Sequence, residues 1–289
     1  MEIDSLPQIM LASQVPEALE IMIDGSKGCT VTINSETFTL FPERENEVYL
    51  RGFRALVRSF FTYYRSTRIN MLIQDIETKA KEQVTFDVYA CDVEMDAEDA
   101  DAVMKGNRFF TCGHEKRTYA TADEYLYIQK RGNATITSRW LVDGALVTGT
   151  QTVTGAGVGN DCYQYVVSPA KVTCPKAGET KRLLSYTVTA GVAKFSYVMV
   201  QDGAFAPTSF TFQNAFRPTE TLHFFGDRTD ETKVERESGA FYTSYLRNYK
   251  RVQTKSVQVY SGYMLRGELP IFEDLLVSES PTVTCVLTG

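Results

Sequence analysis

The densest cluster of reactive residue types is the run Thr-Cys-Gly-His-Glu at 111–115. Cys112 and His114 could ligate a metal ion, or act as a thiol with its general base. A metal site normally needs a second pair of ligands, and no other Cys or His lies at a matching spacing. A glycine turn between two strands accounts for the same residues. The sequence therefore favours a structural role for this run, and a thiol hydrolase is a disfavoured alternative.

Histidine is scarce, and this restricts the possible catalytic chemistry. His114 and His223 are the only histidines in the chain. A zinc site with three histidine ligands is therefore excluded, and a Ser-His-Asp or Cys-His site would have to use one of these two. His223 lies among apolar neighbours in TLHFFG, which is typical of a core or interface histidine.

The glycine-rich stretch GAGVGN at 155–160 has the composition of a nucleotide-binding loop but not its pattern. No Lys-Ser/Thr follows it, and the next residues predict a strand instead of the helix whose N-terminus would bind phosphate. We interpret it as a loop at the tip of a β module.

Acidic residues crowd one short segment in a pattern that differs from a calcium-binding loop. The D-x-D-x-D-G spacing with a terminal Glu is absent, so a solvated helix front is the simpler interpretation. Two carboxylates that meet only in space, as in a glycosidase, are not excluded by the sequence. We predict no cofactor and no metal. The acidic residues of the segment are Glu94, Asp96, Glu98, Asp99 and Asp101.

Composition limits the class of protein. Hydrophobic residues make up 43% of the 289 residues, which is enough for real cores. The net charge of -6 gives no general attraction to nucleic acid. No apolar run approaches the roughly 20 residues of a membrane helix, and the acidic start, with Glu2 and Asp4, predicts synthesis without an export signal. We therefore expect no nucleic-acid or membrane partner, and cysteines that are mostly buried thiols.

Alternating β-branched and aromatic residues dominate the chain and predict a mainly β protein. Short turns such as Asn34-Ser35, Asp143-Gly144 and Gly191 separate strand pairs. We expect two or three small β-sandwich or barrel-like modules. Helices are predicted only near 50–64 (an amphipathic pattern that begins at Val48), near 96–105 and near 268–277. The predicted division is an N-terminal module with one helix at 1–95, a connector helix at 96–106, a middle module with the glycine-rich loop at 107–205, and a C-terminal module at 206–289.

The C-terminal third carries a recognisable order of motifs. FQNAFRPTE (212–220) has the pattern F-x-N-x-F-x-x-x-E, and SYLRNYKR (244–251) and VYSGYMLRGELPIFEDLLVSESPTV (259–283) follow it. Two earlier stretches fit the same order, FDVYACDVEMDAEDADAVMKGNRFFT (86–111) and EYLYIQKR (124–131). This order resembles uncharacterised proteins carried by phages and prophages of gut Bacteroidales, of the tail or baseplate structural type.

The resemblance implies a structural virion protein of a bacteriophage, in a tail, baseplate or connector ring. Such a protein acts without catalysis, through repeated contacts with copies of itself and with other virion proteins, and reaches the virion after assembly in the bacterial cytoplasm. Residues predicted to define the fold or the interface are Phe216, Glu220, Tyr249, Tyr263 and Leu265.

A second hypothesis is a glycan-binding or adhesive β-sandwich that recognises a host-surface receptor. The chain has a single tryptophan, Trp140, and 16 tyrosines that could form such a platform. Because Trp140 lies in an alternating strand, a core position is the commoner case. Tyrosine-rich β modules also suit protein interfaces, since the side chain has an apolar body and a polar tip.

Overall fold

The chain forms several small β-sheets with three short α-helices in the part that the structure describes. The computed structural model describes residues 2–3, 6–44, 46–61, 66–91, 93, 97–129, 132–159, 162–200, 207–241, 245–278 and 281–285. No described helix has both the length and the apolar character needed to cross a membrane. The mainly β prediction is confirmed.

Residues 2–89 build two sheets around one core. The first has the order β1-β3-β6, and the second has the order β2-β8-β7-β4-β5, with β2 parallel to β8. Helix α1 closes the core between them, with Phe53 and Val57 fully buried. The elements are β1 (Glu2–Ile3), β2 (Ile9–Leu11), β3 (Ala18–Met22), β4 (Cys29–Ile33), β5 (Glu36–Leu40), β6 (Glu47–Arg51), α1 (Phe53–Ser59), β7 (Ser66–Asp75) and β8 (Lys81–Tyr89).

Helix α1 is shorter than the predicted helix over 48–64. Val48 and Leu50 are buried while Arg51 is exposed, so this stretch alternates as a strand and pairs with β3. Gly52 then takes a positive φ of 70°, which ends the strand and opens the helix. Residues 62–65 lie outside the described residues.

Helix α2 (Ala97–Met104) falls where the connector helix was predicted. Ala100 and Val103 are fully buried beside Leu11 and Phe110, so the helix packs against segments on both sides of it in the sequence. Beside this buried side of the helix, Asp99 forms an ion pair with Arg108, with 2.9 Å between Oδ1 and Nη1.

Residues 115–199 form a five-stranded sheet and a three-stranded sheet. The first has the order β12-β11-β15-β16-β9, with β9 parallel to β16, and the second has the order β10-β14-β13. Asp143 and Gly144 both have positive φ, as a two-residue hairpin turn requires. The strands are β9 (Glu115–Thr118), β10 (Tyr125–Ile128), β11 (Asn133–Val142), β12 (Ala145–Thr154), β13 (Ala156–Gly157), β14 (Tyr163–Val166), β15 (Lys181–Ala190) and β16 (Ala193–Met199).

The last third forms a three-stranded sheet of order β18-β17-β21, a two-stranded sheet of β19 and β20, and one helix. Its elements are β17 (Thr208–Gln213), β18 (Thr219–Phe224), β19 (Arg228–Phe241), β20 (Tyr245–Val259), α3 (Leu269–Val277) and β21 (Thr282–Cys285). Helix α3 lies where a helix was predicted, directly after a 3-10 turn at Arg266–Glu268.

One hydrophobic core combines the second and the last thirds of the chain. Tyr186 and Tyr197 of the five-stranded sheet belong to the same buried cluster as Leu222 of β18 and Ile271 of α3. The predicted boundary near 205 stays a prediction, and the packing shows that the two segments bury one continuous apolar surface.

Candidate interaction site

A long β-hairpin, which we call the arm, is the most unusual feature of the described chain. Strands β19 and β20 pair in antiparallel register from Arg228↔Val259 to Phe241↔Tyr245. At about 3.3 Å per residue, the 14 residues of β19 span roughly 46 Å. Within the described residues neither strand pairs with a third one, so each has an open outer edge.

Both faces of the arm are exposed where its side chains are described. Every residue at 228–236 and 252–258 is solvent-exposed, including Val234, Val252 and Val257. A two-stranded sheet without an apolar covering is at best marginally stable in water. The arm therefore has the properties of a segment that is stabilised by contact with another molecule.

The two edges of the arm differ in charge. Strand β20 contains four basic residues and no acidic one, whereas β19 contains three basic and four acidic residues. The arm thus carries an excess of positive charge, although the whole chain has a net charge of -6. The negative excess must lie elsewhere on the molecule.

A buried ion pair anchors the base of the arm. Arg117 of β9 is 5% exposed and donates from Nε to Oε2 of Glu268, which is fully buried, over 2.8 Å. Its Nη1 donates to the backbone oxygen of Ser261, just beyond β20, over 3.0 Å. The guanidinium also lies over the ring of Phe225, 5.2 Å from its centroid. One side chain therefore holds both ends of the hairpin to the body.

The motifs that carry the sequence resemblance meet in space. Asn214 Nδ2 donates to the backbone oxygen of Phe110 and to Oε2 of Glu220, each over 2.8 Å. Thr111 Oγ1 donates to Oε1 of Glu220 over 2.8 Å. The rings of Phe110 and Phe216 stack with centroids 5.7 Å apart. The Phe-Phe-Thr start and the F-x-N-x-F-x-x-x-E pattern thus form one buried joint, which sequence spacing could not reveal.

Next to this joint lies a buried ionic network. Lys116 Nζ lies 2.8 Å from Glu124 Oε2, and His223 Nε2 lies 3.1 Å from Glu124 Oε1, with all three side chains about 2% exposed or less. Burial favours the neutral form of Glu124, but the attraction of Lys116 and the contact with His223 outweigh it and lower its pKa. Burial likewise disfavours the charged form of Lys116. The negative charges of Glu124 and Glu220 outweigh this effect and raise the pKa of Lys116.

His223 also contacts a serine, which gives the outline of a Ser-His-Glu triad. Ser209 Oγ lies 2.7 Å from His223 Nδ1. Ser209 is 5% exposed, and the carboxylate of Glu124 is already paired with Lys116. The arrangement fits the predicted core histidine, whose two ring nitrogens are both satisfied.

The structure does not bring Cys112 and His114 together as thiol and base. The Cys112 Sγ lies 3.5 Å from Oδ2 of Asp274 in α3, whereas His114 is exposed. Burial first, and then Asp274 and Glu220, raise the pKa of Cys112 well above its usual range. A thiol held in its neutral form is a poor nucleophile and a poor metal ligand.

The five residues predicted as fold-defining or interface positions fall into three environments. Phe216 and Glu220 are buried in the joint, so they contact the chain itself. Tyr263, just after the arm, is 84% exposed, whereas Leu265 is half-buried. Tyr249 lies in β20 at a β-bulge opposite Glu237 and Ser238, and its side chain lies outside the described residues.

Helix α3 adds an exposed apolar face that the sequence analysis missed. Leu269, Leu276 and Val277 are 45%, 67% and 74% exposed, and their spacing places them on one side of the helix. The opposite side buries Ile271 and Leu275 in the core. The sequence signal for this exposed face was the presence of hydrophobic residues at helical spacing on both sides of the predicted helix.

Trp140 occupies an intermediate environment. It packs against the core, and its Nε1 donates to Ser138 Oγ over 3.0 Å. It also lines a pocket of about 380 Å³, together with Val172, Leu183 and Met199. The indole is therefore a core residue with one edge open to a pocket.

The glycine-rich loop forms a short strand that leads into another strand. Strand β13 pairs with β14, as Ala156↔Gln164 and Gly157↔Tyr163. The strand predicted after the loop is thus present in the place where a nucleotide site would have a helix. Residues 160 and 161 lie outside the described residues.

Comparison with known proteins gives few matches. No protein-family model matches the chain, and no curated protein matches it. The chain is similar to the plexin A4 extracellular region, with 11% identity over 69% of this chain and 27% of the plexin chain, at a TM-score of 0.25. It is also similar to the Pseudomonas aeruginosa CupB2 chaperone, with 7% identity over 77% of this chain and 98% of the chaperone, at a TM-score of 0.23. TM-scores this low identify no shared fold.

Proposed function

We propose that this chain is a structural virion protein of a bacteriophage, a tail, baseplate or connector-ring component that binds copies of itself and other virion proteins. The observation that carries the proposal is the arm, whose described side chains are exposed on both faces and whose two edges are open. The proposal assigns no catalytic activity to the chain, and it places the assembled protein in the virion.

The open edges of the arm favour pairing with another chain. Unpaired backbone N–H and C=O groups on a long edge strand are a template for pairing with another chain, and stable monomers normally protect them. Here β19 and β20 are 14 and 15 residues long. An arm that lies on a neighbouring subunit would satisfy these groups and cover Val234 and Val257, which share one face of the hairpin.

The charge distribution supports a copy of the same chain as the neighbour. The arm is basic and the chain as a whole is acidic, so the arm of one copy and the body of the next attract each other. A contact between two different surfaces of identical subunits is head-to-tail. It closes into a ring, or continues as a filament, depending on the rotation between subunits.

The exposed face of α3 offers a second contact. Leu269, Leu276 and Val277 lie in the same third of the chain as the arm and Tyr263. Burial of the three aliphatic side chains at an interface would remove apolar surface from water, which favours association. Tyrosine is among the residue types that most often dominate binding energy at interfaces.

The test is the assembly state of the purified protein, measured by analytical ultracentrifugation over a range of concentration and salt. We expect closed rings or larger assemblies that weaken as salt rises, because part of the attraction is between exposed charges. The double variant Val234→Asp with Val257→Asp should give monomers. The matched control is Leu146→Asp with Val192→Asp, which changes two exposed residues away from the arm and should assemble normally.

Mass spectrometry of purified phage particles tests the virion assignment directly. The protein should be present in particles at a copy number that fits a ring. A chain that stays monomeric at high concentration and is absent from particles would refute the proposal, as would assembly that the arm variant leaves unchanged.

A further inference from the structure

A second pocket lies where the start of β10 meets β17 and β18, and its lining residues lie outside the arm. Its volume is about 270 Å³. Asp123 and Tyr125 line it together with Thr211, Thr219 and Thr221 of β17 and β18. The buried residues Lys116, Tyr127 and Glu220 complete the lining.

The charges of this pocket disfavour an anionic ligand. Its lining includes Asp123 and Glu220, and the one ammonium group, on Lys116, is already held by Glu124 and by the backbone oxygen of Thr221, each at 2.8 Å. A neutral ligand rich in hydroxyl groups avoids this repulsion.

The other lining groups match such a ligand. The hydroxyl groups of Thr211 and Thr221 share one hydrogen bond of 3.2 Å and keep further acceptor capacity, and Thr219 adds a third hydroxyl group. Tyr125 is 40% exposed at the mouth of the pocket, where its ring offers an apolar surface beside polar groups. A sugar ring has the same combination, with an apolar C–H face and a rim of hydroxyl groups.

We propose that this pocket binds one residue of a neutral saccharide, with Tyr125 against the sugar face and with Asp123 and the threonines on its hydroxyl groups. A volume near the lower end of ligand sites, roughly 300 Å³, suits a single sugar ring at the end of a chain or at a branch. Its lining residues lie outside the arm strands. Such a site would allow a structural virion protein to bind a glycan-covered surface.

Hydrogen bonds fix the buried residues that line the pocket, which supports recognition by shape. Glu220 accepts hydrogen bonds from Thr111 and Asn214, and Lys116 is fixed by its two partners. Burial raises the pKa of Glu220 in spite of the opposing effect of Lys116.

The experiment is saturation-transfer NMR and calorimetric titration with glucose, galactose, mannose, N-acetylglucosamine and the charged sugar sialic acid. We expect at least one neutral sugar to bind with a Kd on the order of 1 mM, and sialic acid to bind at least about tenfold more weakly. The variant Tyr125→Ala should weaken binding about tenfold, and Thr219→Val about threefold. Both residues are exposed, so neither change should disturb folding.

The variant Trp140→Phe is the matched control, because it changes the aromatic residue of the other pocket. It should leave sugar binding unchanged. Three results would overturn the proposal: no neutral sugar bound at about 50 mM, binding that survives both Tyr125→Ala and Thr219→Val, or binding that is lost in Trp140→Phe alone.

Discussion

Removal of the buried ammonium group of Lys116 should strongly destabilise the core. Its Nζ lies 2.8 Å from Glu124 Oε2, and both side chains are 2% exposed or less. At an effective dielectric constant near 20, the gross attraction is about 6 kcal/mol. Much of it compensates for desolvation, but Lys116→Met leaves a buried carboxylate without its cation. We therefore expect the free energy of unfolding to fall by about 3–5 kcal/mol at pH 7.5.

The loss should depend on pH in a defined direction. In the wild type the pKa of Glu124 is lowered, so the ionised side chain stabilises the fold above about pH 4.3, and this stabilisation is lost as the pH falls below that value. The pKa of Lys116 is raised, so the charged side chain stabilises the fold below about pH 10.4, and this stabilisation is lost at higher pH. In Lys116→Met the contact with His223 still lowers the pKa of Glu124, but burial, the largest influence, raises it and is no longer opposed by Lys116. The stability of the variant should therefore rise as pH falls from 8 to 5, by up to about 1.4 kcal/mol per pH unit.

The assay is urea unfolding from pH 5 to 8, followed by the fluorescence of Trp140, which packs against the same core. The matched control is Lys194→Met, which removes an exposed lysine from β16 and should change stability by less than about 0.5 kcal/mol. A loss below about 1 kcal/mol in Lys116→Met, or a loss that does not vary with pH, would refute the reasoning.

Three further outcomes follow from the structure. Glu268→Gln leaves Arg117 without its buried partner, so stability should fall by about 3–5 kcal/mol, and backbone amides at the base of the arm should exchange with deuterium faster than in the wild type. Gly28→Ala should lower the melting temperature sharply, because φ is 101° and a Cβ would lie 2.2 Å from a backbone oxygen of β5. The Cys112 thiol should react with iodoacetamide far more slowly than a model thiol at pH 8, because its raised pKa keeps it neutral.

Each of these outcomes has a control within the same chain. Gly132→Ala places a Cβ in open space and should leave the melting temperature unchanged. Cys174 is partly exposed and should react faster with iodoacetamide than Cys112. Equal reactivity of the two thiols would contradict the explanation by burial, and slow exchange at the base of the arm in Glu268→Gln would show that Arg117 does not hold it.

Local sequence signals predicted the hairpins well because each depends on neighbouring residues. The Asp143-Gly144 pair predicted the hairpin of β11 and β12, since a two-residue hairpin turn needs two positive φ angles and these residue types adopt them. The first helix was predicted too long because Val48 and Leu50 match both a helical and an alternating spacing. In the folded chain this stretch, β6, pairs with β3, and this pairing favours the strand over the helix.

The arm and the buried networks were not predictable from local pattern. Strand β19 has no alternation of apolar and polar residues because both of its described faces are exposed. The contact of Thr111 with Glu220 joins residues 109 positions apart, and that of Arg117 with Glu268 joins residues 151 apart. Only the fold brings such residues together, so a lone charged residue in a strand gave no signal of its partner.

The core shared by the second and last thirds of the chain sets an order of events during synthesis. The cluster built from residues 10–88 can close while the ribosome is still translating the remainder. The larger cluster includes Ile271 and Leu275, so the five-stranded sheet keeps an uncovered apolar surface until these residues have emerged from the ribosome. A ribosome that stalls before α3 would leave a half-finished nascent chain that chaperones must bind.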